Sequence, residues 1–454
     1  MKKTTRFLLL AALVLCMTLP LASCGAVATY ETTGSAYDVA VAQGFTGTVD
    51  EWLASLKGES AYDIWLSEGN VGTKADFLAS LSNTVNNYDI TVNASDDEAV
   101  AAKSLLSVVS VYSKFVKTYT VRTGYYRVEQ RQTEYSAAGS GVIYKLDKTA
   151  GDAYIITNYH VVFDKENEST SDGVSADISL FLYGKEYEQY AIPATYVGGS
   201  MYYDIAVLKV SDSDILRTSA ALEAELLPED ETVSVGGKAI AVGNPEAGGI
   251  SATSGIVCVD SEYITMKTAD EQSTISMRVL RIDTAINSGN SGGGLFDAEG
   301  RLVGITNAKI VDSSTENIAY AIPVRVAQNV ADNIIYYCAD GTNRSVRRCM
   351  LGVSVAVEGS AAVYDPESGS VSIRETVSIA DVTSDGAANG KLQKGDIVLS
   401  VTLGERTYAI TRSYMLIDAM LTARPGDSAV FRILRDGAEQ TVTVEITAAT
   451  LTDY

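Results

Sequence analysis

The stretch AINSGNSGGGLF, residues 285–296, sets glycines on both sides of Ser291. It lies between two runs rich in β-branched residues, LRIDTAI before it and RLVGIT after it. Glycines clustered between strands mark a tight turn, because glycine accepts backbone dihedrals that other residues avoid. The texture continues upstream from this turn. GSGVIYKL, AYIITN, DISLFLYG, DIAVLKV, KAIAVGN and GIVCVD are short apolar runs separated by Gly, Asn and Asp. Such a series predicts an all-β barrel or sandwich region beginning near Tyr125. It closes with AIPVRVAQNVADNIIYYC, where Pro323 suits the first turn of a helix and apolar residues recur at helical spacing.

Two further residues stand out within this β region. His160, in AYIITNYHVV, is the single histidine of 454 residues. Asp204 opens the strand DIAVLKV. Taken alone, a histidine is usually a satisfied side chain and a strand-leading aspartate a turn residue. Together with Ser291 they fall in the order His, Asp, Ser, one of the chain orders that build a nucleophilic triad. A serine hydroxyl is a poor nucleophile near neutral pH and needs a base to take its proton. Imidazole suits that task, and a buried carboxylate fixes its tautomer and stabilises the imidazolium. The oxyanion needs donors already aimed at it, and the turn at Gly289, Asn290 and Ser291 offers backbone N–H groups.

Composition narrows the function classes. The formal charge of −22 argues against nucleic acid as a partner, since phosphates call for Lys and Arg surfaces. One histidine and five cysteines offer no Cys/His metal spacing.

The blocks YIITNYHVV, YYDIAVLKV and AINSGNSGGGLFDAEGRLVGI, with NIAYAIPV downstream, resemble the HtrA/Deg family of trypsin-like serine endopeptidases. The resemblance implies a mainly β fold, a chymotrypsin-like double β-barrel protease over residues 125–338 followed by an α+β PDZ domain over 345–447. It implies His160 as general base, Asp204 as its orienting acid and Ser291 as nucleophile, with oxyanion donors from Gly289 and Ser291 and Asn290 between them. It places Ala285, Ile286 and Ala308 at the primary specificity pocket; none is acidic, which favours cleavage after small or medium aliphatic residues over Lys or Arg. It further implies unfolded or exposed protein segments as substrates, cleavage with neither metal nor cofactor, envelope protein quality control as the role, and a homotrimer. The family commonly has proline where Ser288 and Gly294 stand, so the nucleophile turn carries less backbone restriction here.

From Arg347 onward, MLGVSVAV, SVSIRETV, GDIVLSV and SAVFRILR read as strands and TRSYMLIDAMLTA as a helix ended by RPGD. MLGV resembles the loop with which PDZ domains receive a peptide's terminal carboxylate. On that resemblance Leu351, Gly352 and Val353 supply backbone donors, and the next strand accepts the peptide as an added strand. Arg347 and Arg348, just upstream, add positive charge.

The start of the chain reads as an export signal. Lys2, Lys3 and Arg6 precede the apolar FLLLAALVLCMTL. LASC, ending at Cys24, resembles a bacterial lipobox, so residues 1–23 are read as a lipoprotein signal peptide and Cys24 as the lipid-bearing first residue of an extracytoplasmic protein. Residues 24–85 contain two units of about 25 residues each, SAYDVAVAQGFTGTVDEWLASL and SAYDIWLSEGNVGTKADFLASL. They predict short helical hairpins, serving either as an attachment module or as a plain stalk. Residues 86–124 read as a linker running into a helix near Glu98–Lys117. Cys338 and Cys349 are left either to pair or to remain thiols. An alternative to the protease reading is a chaperone-like, peptide-binding scaffold in which proteolysis is secondary; an unrelated esterase with the same triad fits less well, because the strands lack α/β alternation.

Overall fold

The computed structural model describes residues 97–453 except 123–127, 309–317, 339–340 and 367–368, together with isolated positions between 46 and 73. The leader, Cys24 and, but for those isolated positions, the repeats lie outside the described residues.

Helix α1 (Asp97–Leu105) leads directly into strand β1 (Val108–Arg122). The helix expected over Glu98–Lys117 therefore stops at Leu105, and the first barrel starts well before Tyr125. In VVSVYS the β-branched residues lose side-chain freedom in a helix and suit a pleated strand. β1 pairs with β2 (Val128–Asp147), and β3 (Asp152–Thr157), β6 (Ile205–Val210), β5 (Ile192–Ser200) and β4 (Asp177–Leu182) complete a closed barrel in that order. A four-residue helix, α2 (Tyr159–Val162), follows β3. A second closed barrel runs β10 (Gly294–Phe296), β11 (Leu302–Thr306), β12 (Ala319–Pro323), β9 (Thr274–Ile282), β8 (Ser251–Lys267) and β7 (Lys238–Gly243).

The two-residue period of the strands assigns side chains to two cores. Val109, Ile143, Ile155, Ala206 and Leu208 fill the first barrel. Their neighbours Val108, Val142, Ile156, Ile205 and Val207 turn outward and join the core of the second barrel. This explains why IAVLKV reads as an almost continuous apolar run: both faces of β6 are covered. The shared wall fixes one barrel against the other, and the ends of β3, β6 and β11 meet along it.

Helix α3 (Val324–Tyr337) packs Val326, Ala327, Val330, Ala331 and Ile334 into the second core. Next, β13 (Arg347–Cys349) pairs with the final strand β20 (Leu451–Asp453). The last domain is a six-stranded sheet ordered β14 (Val353–Tyr364), β15 (Val371–Val382), β16 (Ile397–Leu403), β18 (Ser428–Arg435), β19 (Ala438–Glu445), with β17 (Arg406–Ala409) beside β16. Helix α4 (Ser413–Met420) packs Leu416, Ala419 and Met420 into its core. Leu421, just past that helix, belongs instead to the core of the second barrel. This last domain is thus docked on the two-barrel body, with Asn329 and Asn333 of α3 donating to the carbonyls of Asp418 and Leu421 at 2.8 and 2.9 Å. Among the described residues no helix is long and apolar enough to cross a membrane.

Candidate active site

His160 sits on α2, one turn past the end of β3, and Asp204 lies immediately before β6. Asp204 adopts φ +49°, a left-handed conformation that aspartate tolerates better than most residues. Its carbonyl accepts from Asn158 Nδ2 at 2.8 Å and from the Tyr159 N–H at 3.1 Å, which holds the turn in place. The carboxylate is almost wholly buried and meets three donors. Oδ1 accepts from the His160 backbone N–H at 3.0 Å, and Oδ2 lies 2.7 Å from His160 Nδ1 and 2.8 Å from Asn307 Nδ2. Burial pushes the pKa of Asp204 up, but attraction to His160 and these hydrogen bonds outweigh it and hold the carboxyl below its ordinary value. An ionised acceptor on Nδ1 selects the tautomer with its proton there, which leaves Nε2 free to act as a base.

Ser291 comes from the glycine turn, where the barrels approach each other closely. A Cβ on Gly292 would stand 2.2 Å from the Ser140 carbonyl and 2.4 Å from Thr157 Oγ1, both of the first barrel. A Cβ on Gly289 would stand 2.2 Å from the Asn244 carbonyl of the second. The glycine density is therefore a requirement for close approach as well as for turning. Ser291 Oγ accepts from the Ala308 N–H at 3.1 Å, and no hydrogen bond joins it to His160. His160 and Asp204 are thus coupled, while the hydroxyl of Ser291 is bonded to the Ala308 N–H.

The three backbone N–H groups of the turn differ. That of Asn290 donates to the Asn287 carbonyl at 3.0 Å. Those of Gly289 and Ser291 have no acceptor among the described residues. Of the residues read as the specificity pocket, Ala285 is exposed with its carbonyl held by Thr253 Oγ1 at 2.9 Å, Ile286 is buried in the second core, and Ala308 packs against that core's edge. Asn307 was not legible as a partner of Asp204; its only signal is a polar residue closing the apolar run LVGIT.

In the second domain β14 is the edge strand, bonded only to β15. Gly352 has φ +72°, and a Cβ there would sit 2.4 Å from the Gly386 Cα. Of the donors read for a carboxylate, the Leu351 N–H is bonded to the Cys349 carbonyl at 2.9 Å, and Leu351 itself is buried in the domain core. Arg347 Nε bonds Asp453 at 3.0 Å, and the Arg348 guanidinium lies 5.8 and 6.0 Å from the ring centres of Tyr202 and Tyr203. Among the described residues Cys258, Cys338 and Cys349 form no disulfide. Among the described residues no His, Cys, Asp and Glu group could hold a metal ion.

Two closed six-stranded barrels, joined to a PDZ-like sheet, define a trypsin-like serine endopeptidase with an accessory domain. Residues 139–305 match the trypsin-like peptidase domain and residues 349–446 the PDZ domain. Serine protease Do-like HtrA of Lactococcus lactis subsp. lactis (strain IL1403) is 30% identical over 325 residues, spanning 69% of this chain and 72% of that protein. Serine protease Do-like HtrA of Lactococcus lactis subsp. cremoris (strain MG1363) is 28% identical over 386 residues, 81% of this chain and 86% of that one. Among solved structures, the HtrA-type protease AlgW with tripeptide aligns at a TM-score of 0.47 and 24% identity, covering 78% of this chain and 97% of that chain. The chain belongs to the HtrA family of serine proteases.

Proposed function

We propose that this protease is exported, held at the membrane by lipid on Cys24, and cleaves unfolded or exposed protein segments as part of envelope protein quality control. His160 is the general base, Asp204 orients it, and Ser291 is the nucleophile. The observation that carries the reading is the Asp204 carboxylate, shared between His160 and Asn307 in the wall between the barrels, beside a serine turn with two free N–H groups.

The chemistry follows from those positions. Ser291 Oγ first leaves the Ala308 N–H and turns to His160 Nε2. It attacks the scissile carbonyl carbon while its proton passes to Nε2, and Asp204 stabilises the imidazolium without itself taking the proton. The carbonyl oxygen gathers negative charge against the N–H groups of Gly289 and Ser291. Collapse of the tetrahedral species expels the amine, which takes the proton from Nε2, and water repeats the sequence on the acyl-enzyme. Ala285, Ile286 and Ala308 leave the primary pocket uncharged and favour small or medium aliphatic residues. The free edge of β14 receives peptide C-termini as an added strand, with Gly352 and Val353 as remaining carboxylate donors beside Leu351. A homotrimer is the assembly expected from the family.

Casein digestion by wild type and by Ser291→Ala tests the assignment. Digestion by wild type and none by the variant is expected. Equal digestion by both removes Ser291 from the mechanism, and no digestion by either, with peptides still bound, favours the scaffold reading.

A further inference from the structure

Three peptide planes form the nucleophile turn: Ser288–Gly289, Gly289–Asn290 and Asn290–Ser291. A peptide unit is rigid, so anchoring its carbonyl aims the N–H on its opposite edge. The two outer planes carry the free N–H groups of Gly289 and Ser291, and each is anchored. The Ser288 carbonyl accepts from the Glu246 N–H at 2.7 Å. The Asn290 carbonyl accepts from Thr306 Oγ1 at 2.6 Å and from the Gly293 N–H at 2.9 Å. The middle plane is held at its N–H edge, where Asn290 donates to the Asn287 carbonyl at 3.0 Å, and it turns about Gly289, whose φ of +96° is one that a glycine adopts readily and can as readily leave.

That middle carbonyl, of Gly289, accepts from Ser140 Oγ at 2.7 Å. Ser140 lies on β2 and is fully buried. Its hydroxyl accepts from the Asn244 N–H at 2.8 Å, which directs the hydroxyl proton to Gly289. Its own N–H donates to the Ser291 carbonyl at 2.8 Å, and its carbonyl accepts from Thr157 Oγ1 at 2.7 Å. One first-barrel residue therefore grips the turn on both sides of the oxyanion donors and is tied to the strand that leads to His160.

We propose that Ser140 is a positioning residue for the oxyanion site: its hydroxyl locks the Gly289–Asn290 peptide so that the N–H groups of Gly289 and Ser291 converge on one point. It acts through the backbone and touches no substrate. The proposal rests on the reading of those two N–H groups as the oxyanion donors.

The test uses full-length Ser140→Ala with a cleavable peptide, with rates referred to folded protein. Because both donors remain but lose their aim, kcat is expected to fall about 10- to 100-fold, less than or comparable to outright loss of one donor, with KM within about twofold. A peptidyl boronic acid, which forms a tetrahedral adduct on the serine, should weaken by a similar factor. Binding of the uncleaved peptide should be the same in Ser291→Ala and in Ser291→Ala/Ser140→Ala. A kcat near wild type, or an unchanged boronate affinity, overturns the proposal. If Ser140→Ala does not fold, Ser140→Cys, a weaker donor of similar shape, is read in the same way; an intermediate loss supports the proposal and wild-type turnover overturns it. Turnover by wild type and its absence in Ser291→Ala is the separate check on the underlying site.

Discussion

Asp204 is constrained more than any other residue of the site. Its backbone is held left-handed by bonds from Asn158 and Tyr159, and its carboxylate meets His160 twice and Asn307 once. Replacing it with asparagine keeps the shape but puts an amide where the imidazole needs an anion. Asp204→Asn should lower kcat about 10⁴-fold with little change in KM, read by steady-state peptide hydrolysis. No second histidine exists to stand in as base. The same residue has a stability signature. Its folded pKa lies below the ordinary 3.8, so its contribution is complete above pH 3.8 and is lost as pH falls through the lower folded value. Urea unfolding across that acid range should show a flatter pH dependence in Asp204→Asn than in wild type; identical slopes would remove the linkage.

At the scale of elements, the turn around Ser291 sets glycines where the barrels meet. Gly292 has φ +84° and lies against the Ser140 carbonyl and Thr157 Oγ1, so even a methyl group must push the first barrel away. Gly292→Ala should lose at least about 100-fold in kcat and also melt earlier, since strain and overpacking act together. A calorimetric scan beside the rate assay separates the two effects. Much at this scale was legible in the sequence. The glycine turn, the strand after Asp204 and the helix after Pro323 all fall where their patterns put them, because hydrophobic period and turn residues are local signals. The helix expected over Glu98–Lys117 was not, because the β-branched alternation of VVSVYS forms the start of β1 after the helix ends at Leu105. Ser140 and Asn307 were not legible either. Each is an ordinary polar residue in an apolar run, and its partner lies 149 or 103 residues away. Helix α3 adds a similar case. Buried Asn333 receives the Arg347 N–H and donates to the carbonyls of Arg347 and Leu421. Asn333→Leu leaves those groups unpaired and should cost on the order of 2–3 kcal/mol in a urea melt.

At the scale of the whole chain, the two domains are joined by charge as well as by helix α3. Arg278 of β9 pairs with Asp418 of α4, both nearly buried, and its guanidinium lies 3.9 Å from the centre of the Tyr414 ring. Arg412 meets Asp260 at 2.9 Å beside them. Burial raises the pKa of Asp418, and Arg278 only partly opposes it, so ionised Asp418 is held at a net cost relative to the unfolded chain. The sign is opposite to that of Asp204: stability linked to Asp418 declines as pH rises from 3.8 through its higher folded pKa. Removing one partner strands the other charge. Asp418→Ala should therefore cost about 3–5 kcal/mol, whereas Arg278→Met/Asp418→Leu should lie close to wild type and lack that pH slope. Because Leu421 is packed into the second barrel's core, wild type should unfold in one transition and Asp418→Ala in two, with the PDZ-like domain released first. Differential scanning calorimetry reads both outcomes, and two transitions in wild type would show that the docked interface does not couple the domains.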